Sequence, residues 1–199
     1  MTQKRAETTR RKLLAAATQA VRRHGYVATS VDEVCAAAKV SKGAFFHHFE
    51  TKEELVAACL ANWDEQGAAM EATAQFQTIA DPRERVRACM DFFIEWFENP
   101  RLLKSCLAGT TVQEVGRAIP ALRRAAHRCF SNAQGRLQKL LDAACKGSRR
   151  RPDTSSLAAL WIAAVQGSLI LCKASGDPTV IRETLEHTKT YILSVLSKT

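Results

Sequence analysis

The sequence predicts an all-α fold, and three features predict it. Strand-like alternation of apolar and polar residues is absent, and apolar residues recur instead at spacings of three and four. The nine glycines and five prolines fall mostly where such helical patterns end. With 199 residues the chain can bury a sizeable core as one large domain or two small ones.

The elements follow in order. A first helix covers about residues 8–24, with Leu13, Leu14, Ala17, Ala20 and Val21 on one face and Gly25 as its stop. Ser30 caps a second helix, and Glu33 three residues on completes a capping box; Val31, Val34, Cys35 and Ala38 form the inner face. Ser41 caps a third, short helix. Thr51 and Glu54 form another capping box for a fourth, about residues 52–74, with Leu55, Ala58, Cys59, Asn62 and Trp63 in register. Asp81-Pro82 starts a fifth, and Asn99-Pro100 stops it. A short sixth helix lies near residues 104–115, and Pro120 starts a seventh that reaches about Cys145. The basic turn "KGSRRRPD" leads to an eighth, opened by Asp153 or Thr154 and ending near Ser175, and "GDP" separates it from a ninth ending near Ser197.

Composition narrows the function classes. The net charge of +9 points to an anionic partner. Residues 1–52 hold ten Lys and Arg against four acids, a surplus of six, whereas the remaining chain has a surplus of only three. Seven scattered cysteines with no CxxC pair argue against a disulfide framework and a thiolate zinc site, and for a reducing cytoplasm. The longest apolar run, "LAALWIAAVQGSLILCKA", is interrupted by Gln166, Gly167 and Ser168, so no membrane association is expected. The charged N-terminus lacks the apolar region of a signal peptide. No nucleophile–base set, Gly-rich phosphate loop or metal-ligand spacing is visible, so neither an enzyme nor a cofactor is expected.

The second and third helices, joined at Lys39-Val40, have helix-turn-helix dimensions. A recognition helix needs only about two turns in a major groove, while its inner face must grip the other helices. Phe45 and Phe49, four apart, supply that grip. Ser41, Lys42, Ala44, His47 and His48 remain on the outer side, where Ala44 and His47 face base edges. Gly43 permits close approach of a DNA backbone. Thr29 and Ser30, at the start of the second helix, are placed to donate to a phosphate, and Lys42 and Lys52 to pair with others.

The stretch "GYVATSVDEVCAAAKVSKGAFFHHFETKEEL" resembles the DNA-binding domain of the tetracycline-repressor (TetR/AcrR) family of bacterial transcription factors. Gly25-Tyr26, Thr29-Ser30-Val31, Val40-Ser41-Lys42-Gly43, Phe49 and Lys52 carry the resemblance. Two positions depart from it. Lys39 stands where the family usually has glycine, and a left-handed backbone there costs about 1 kcal/mol. Phe46 replaces the usual tyrosine at a DNA-contact position, leaving His47 or His48 to supply that bond and to make binding pH-sensitive near pH ~6–7.

The resemblance implies a DNA-binding domain over residues 1–52 and a ligand-binding and dimerisation domain over 53–199, with the fourth helix connecting them. It implies a homodimer, a double-stranded operator and a small-molecule effector. For dimerisation, the eighth helix presents Leu160, Ala164, Ser168 and Leu171, and the ninth Ile181, Leu185, Thr188 and Ile192, at spacings suited to helix packing. For the ligand, the candidates are Trp63, Phe92, Phe93, Trp96, Thr110, Phe130 and Trp161, with Cys106. Cys106 lies at a helix start near Arg101 and Lys104, a setting that favours a thiolate. "SCL" here resembles a branch of the family that includes sensors of thiol-reactive compounds. The reading is of a repressor released when its two recognition helices no longer match successive major grooves. A non-specific DNA-binding structural protein stays open as the alternative; retention on a palindromic site separates the two.

Overall fold

Local capping decides where the helices start. The protein is described by a computed structural model over residues 3–99, 105–148 and 151–198. Among these residues are nine α-helices: α1 (Gln3–Ala28), α2 (Val31–Ala38), α3 (Lys42–Phe46), α4 (Lys52–Ala72), α5 (Pro82–Glu98), α6 (Leu107–Val115), α7 (Pro120–Ala144), α8 (Thr154–Ser175) and α9 (Thr179–Ser197). Ser30 Oγ accepts from Glu33 N at 3.1 Å, Ser41 Oγ from Ala44 N at 3.2 Å and Thr51 Oγ1 from Glu54 N at 3.0 Å. Asp81 and Asp153 cap α5 and α8 in the same way. Each bond satisfies an N–H that the first helical turn leaves without a partner. The reciprocal halves of the boxes differ from expectation. The Glu33 carboxylate turns to His24 Nε2 at 3.1 Å, and Glu54 accepts from Glu50 N at 2.8 Å.

Several boundaries also differ. α1 begins near Gln3 rather than Thr8. Gly25, at φ +93° and ψ 167°, leaves the helical conformation and ends the long run as expected, and one further turn to Ala28 follows it. α4 stops at Ala72, and a 3-10 turn over Gln75–Thr78 inserts Phe76 beside Ala74 and Cys89. α6 starts at Leu107; Lys104 and Arg101 lie outside the described residues.

The chain divides into two compact units, neither continuous in sequence. The first comprises Met1–Gln66 and Ser105–Cys129, the second Gly67–Lys104 and Phe130–Thr199. The helix-turn-helix expected as a separate domain over 1–52 thus shares its unit with most of α4, α6 and the start of α7. Its core includes Leu13, Leu14, Val21, Val34, Phe45, Leu55, Cys59, Leu107 and Leu122, all buried.

In the second unit, α5, α8 and α9 pack together around Met90, Ile94, Trp161, Leu169, Ile181, Leu185 and Ile192. This corrects the expected dimer stripe. Ile181, Leu185, Ile192 and Ser168 are fully buried within the chain, and Thr188 is half-buried with its hydroxyl donated to Thr184 O at 2.8 Å. A four-three spacing marks a packed seam but does not say which helix fills it. Leu160 and Leu171 point outward with Ile170, beside half-buried Ala164 and Gly167. By length and composition α8 could cross a membrane, contrary to the interrupted run expected. Its inner face, however, is the packed core of this unit.

Candidate nucleic-acid interface

The turn between α2 and α3 is closed by backbone bonds. Lys39 adopts φ 55° and ψ 47°, its N–H donates to Ala36 O at 3.1 Å, and Val40 N donates to Cys35 O at 3.0 Å. Lys39 is a left-handed non-glycine residue, as the departure at this position anticipated. α3 then presents two unlike faces. Phe45 is fully buried and packs against Phe49 with ring centroids 6.0 Å apart. On the other side Ser41, Lys42, Gly43, Phe46 and His47 are exposed and Ala44 is half-buried.

Gly43 is informative. A Cβ built there meets nothing within 4 Å, and its backbone is not left-handed. The fold itself does not need glycine, although glycine inside a helix costs about 0.5–1 kcal/mol relative to alanine.

Three predicted contacts take different places. Thr29 is buried and its hydroxyl donates to Gly25 O at 2.7 Å, which commits it to the end of α1; Ser30 stays exposed with its O–H left to donate. Lys52 is half-buried. Its ammonium donates to Tyr26 O (3.0 Å) and Thr29 O (2.9 Å) and sits 4.1 Å from the Tyr26 ring centroid. Burial lowers its pKa, with the Glu114 charge opposing. It clamps α4 to the end of α1 and retains one N–H. His48 is half-buried and its Nε2 has no partner. Burial, then the charges of His47 and Arg10, lower its pKa, which favours the neutral ring. Lys42 remains outward, paired with exposed Asp32 at 2.8 Å; that hydrogen bond, then the Asp32 charge, raises its pKa.

Residues 13–59 match the family described as "Bacterial regulatory proteins, tetR family", and residues 82–188 match "Tetracyclin repressor-like, C-terminal domain". The chain belongs to the TetR family. It is 27% identical over 191 residues to the HTH-type transcriptional repressor DhaR of Mycobacterium sp. strain GP1, covering 94% of this chain and 91% of the relative. It is 25% identical over 185 residues to an uncharacterised HTH-type transcriptional regulator in the lacX 3' region of Lactococcus lactis, covering 92% of each. Among solved structures, a TetR transcriptional regulator from Chloroflexus aurantiacus superposes with a TM-score of 0.83 at 25% identity, over 95% of this chain and 96% of that one. TetR-family proteins are DNA-binding regulators of transcription, not enzymes.

In this TetR-family chain the candidate effector residues divide between the units. Trp63, Cys106 and Thr110 belong to the first; Phe92, Phe93, Trp96, Phe130 and Trp161 belong to the second. Phe92 and Phe93 pack with Phe76 as an edge-to-face cluster, and Trp161 is core; Trp96 is exposed. Cys106 is half-buried at the start of α6, whereas the other six cysteines are buried. Burial pushes the Cys59 thiol up to about 11 and those of Cys89 and Cys129 to about 12. Burial lowers the Arg22 pKa, with the Cys106 charge opposing. The Arg22 guanidinium lies 4.7 Å from the Trp63 ring centroid and donates to Ser105 O at 3.0 Å, while Ser105 Oγ donates to Arg22 O at 2.9 Å.

Sequence reasoning missed a second anchor. Glu114 of α6 accepts from Val27 N at 3.0 Å, and a Cβ at Gly25 would overlap its carboxylate. Thus Gly25 is required twice, by its positive φ and by Glu114. Nothing local signals a bond spanning 87 residues.

Proposed function

We propose that this chain is a homodimeric repressor, acting in the cytoplasm, whose operator binding is relieved by an apolar or thiol-reactive small molecule. The outward face of α3 carries the DNA reading: Ser41 and Lys42 meet phosphate, Ala44 and His47 meet base edges, and Gly43 and Phe46 lie against the backbone. Ser30 adds a phosphate contact at the start of α2. The observation that supports this most strongly is the split of α3 into a buried Phe45 side and an exposed side of Ser41, Lys42, Phe46 and His47. The outward apolar face of α8, with Leu160, Ala164 and Leu171, supports dimerisation through a second copy of the same face. The relative described as a repressor supports that sign of regulation.

Release follows from how α6 is tied. Bulk added to Cys106 disturbs the Ser105–Arg22 pair beside it, and α6 bears on α1 again through Glu114, three residues before the α2 cap. Moving α6 therefore moves the junction that orients the helix-turn-helix. Aromatic residues of both units remain the candidates for a reversible apolar effector.

Genome-wide footprinting of the purified protein, with and without a maleimide, tests this reading. Discrete palindromic sites should be protected, and maleimide should abolish protection for the unmodified protein but not for Cys106→Ser. Uniform coverage of DNA would favour a structural protein. If Cys106 labels no faster than Cys59 or Cys145, thiol modification is not the signal.

A further inference from the structure

A second cationic surface lies on the unit that carries the helix-turn-helix. α6 runs beside the last turns of α1, from the Arg22–Ser105 pair to the Val27–Glu114 bond. Contact advances from residue 22 to 27 of α1 as it advances from Ser105, two residues before α6, to Glu114 within it. α6 therefore heads toward the start of α2, where the expected phosphate contacts begin. Arg117, exposed, stands in the turn that follows α6, and α7 then opens with Arg123 and Arg124, exposed as well.

None of these three arginines has a carboxylate partner among the described residues. Some arginines elsewhere are neutralised, Arg87 by Glu84, Arg136 by Glu71 and Arg182 by Glu98, while exposed Arg83 is not among the described residues. What sets these three apart is therefore their place beside the helix-turn-helix. The placement also works against α7, since cations near a helix N-terminus oppose its dipole and no acid occupies that first turn. A bound anion would reverse that penalty.

We propose that Arg117, Arg123 and Arg124 form a second phosphate-contact surface, which engages the same DNA duplex beside the N-terminus of α2. Arginine suits this task because its planar fork binds phosphate through two parallel hydrogen bonds. The inference rests on the DNA-binding reading of α3 and adds a surface to it.

The test is equilibrium binding to a duplex carrying a footprinted site, over about 50 to 200 mM salt. The slope of log affinity against log salt should flatten by about 0.9 for each phosphate that an Arg117→Ala, Arg123→Ala, Arg124→Ala variant no longer neutralises. The matching Arg→Lys variant should keep most of the slope. Phenylglyoxal labelling of the unmodified protein, read by mass spectrometry, gives a measurement independent of any variant: DNA should protect these arginines. A variant that melts normally and binds with unchanged slope, or labelling unaffected by DNA, overturns the proposal. If Lys42→Ala flattens the slope in the same experiment, the α3 reading survives that failure. An unmodified protein with no salt-dependent binding to the site overturns both.

Discussion

The two compact units place their charges differently, although each holds both kinds. Lys42 pairs with Asp32 in the first, and exposed Arg83 and Lys173 of the second have no carboxylate partner among the described residues. In the second, charged side chains stitch helices together: Lys189 of α9 reaches Asp91 of α5 at 2.6 Å and Glu186 at 2.5 Å, and Arg182 of α9 pairs with Glu98 of α5. In the first, Lys4, Arg5, Arg11, Lys12, Arg117, Arg123 and Arg124 stand without carboxylate partners among the described residues. Exposed ion pairs such as Arg182–Glu98 add little to stability, whereas Lys189 is largely buried between its two carboxylates. Paired charges cancel at short range, whereas unpaired ones leave a positive potential that attracts a polyanion. One chain thus holds a structural use of charge and a surface prepared for an external partner.

The largest effect expected concerns packing in the second unit. Leu185→Ala should destabilise the protein by about 2–5 kcal/mol, seen in chemical denaturation, because Leu185 is fully enclosed. Leu171→Glu should leave the fold intact but give monomers in sedimentation. A Leu171→Glu protein that remains dimeric would remove α8 from the interface.

Next in size is Gly25→Ala in the first unit. Its backbone at φ +93° and ψ 167° is essentially reserved for glycine and costs about 1–3 kcal/mol with a side chain, and the new Cβ must also displace the Glu114 carboxylate. Melting should fall, and the response to maleimide should weaken because α6 no longer bears on α1. An unchanged response would break the link between α6 and the DNA-binding helices.

Smaller again are two glycine exchanges within the recognition motif. Lys39→Gly should stabilise by up to about 1 kcal/mol by relieving a positive φ. Gly43→Ala should stabilise by about 0.5–1 kcal/mol yet weaken operator affinity. Gly43→Ala with unaltered affinity would mean that DNA does not approach this position.

The smallest effect is on pH. His48 has its pKa lowered by burial and by the His47 and Arg10 charges, so the unfolded chain binds this proton more readily than the folded one. Stability from this group is therefore full above its ordinary value near 6.5 and is lost as pH falls through the lower folded value. Urea unfolding at about pH 7 and about pH 5 should show that loss, and His48→Phe should diminish it.

Much of this was legible in the sequence, where causes were local. Ser30, Ser41, Thr51, Asp81 and Asp153 cap the helices they were expected to cap, because a cap is settled within three residues. Phe45 turned inward and Lys42 outward as helical spacing required. What could not be read were matters of partner choice. The stripe of Ile181, Leu185 and Ile192 marks a packed face equally well for an internal helix or a second subunit. Lys52, expected as a phosphate ligand, also donates to Tyr26 O and Thr29 O, 26 and 23 residues away, and keeps one N–H beyond them. The bonds of α6 to α1 join residues 83 and 87 apart and leave no periodic trace.

Amide hydrogen exchange of the whole chain, with and without a footprinted operator duplex, tests the division of labour most directly. The expected result is slowed exchange at the start of α2 and across α3, residues 30–33 and 41–47, with α5 and α9 little changed. Protection centred on α5 or α9, with α3 exchanging as in the free protein, would contradict it.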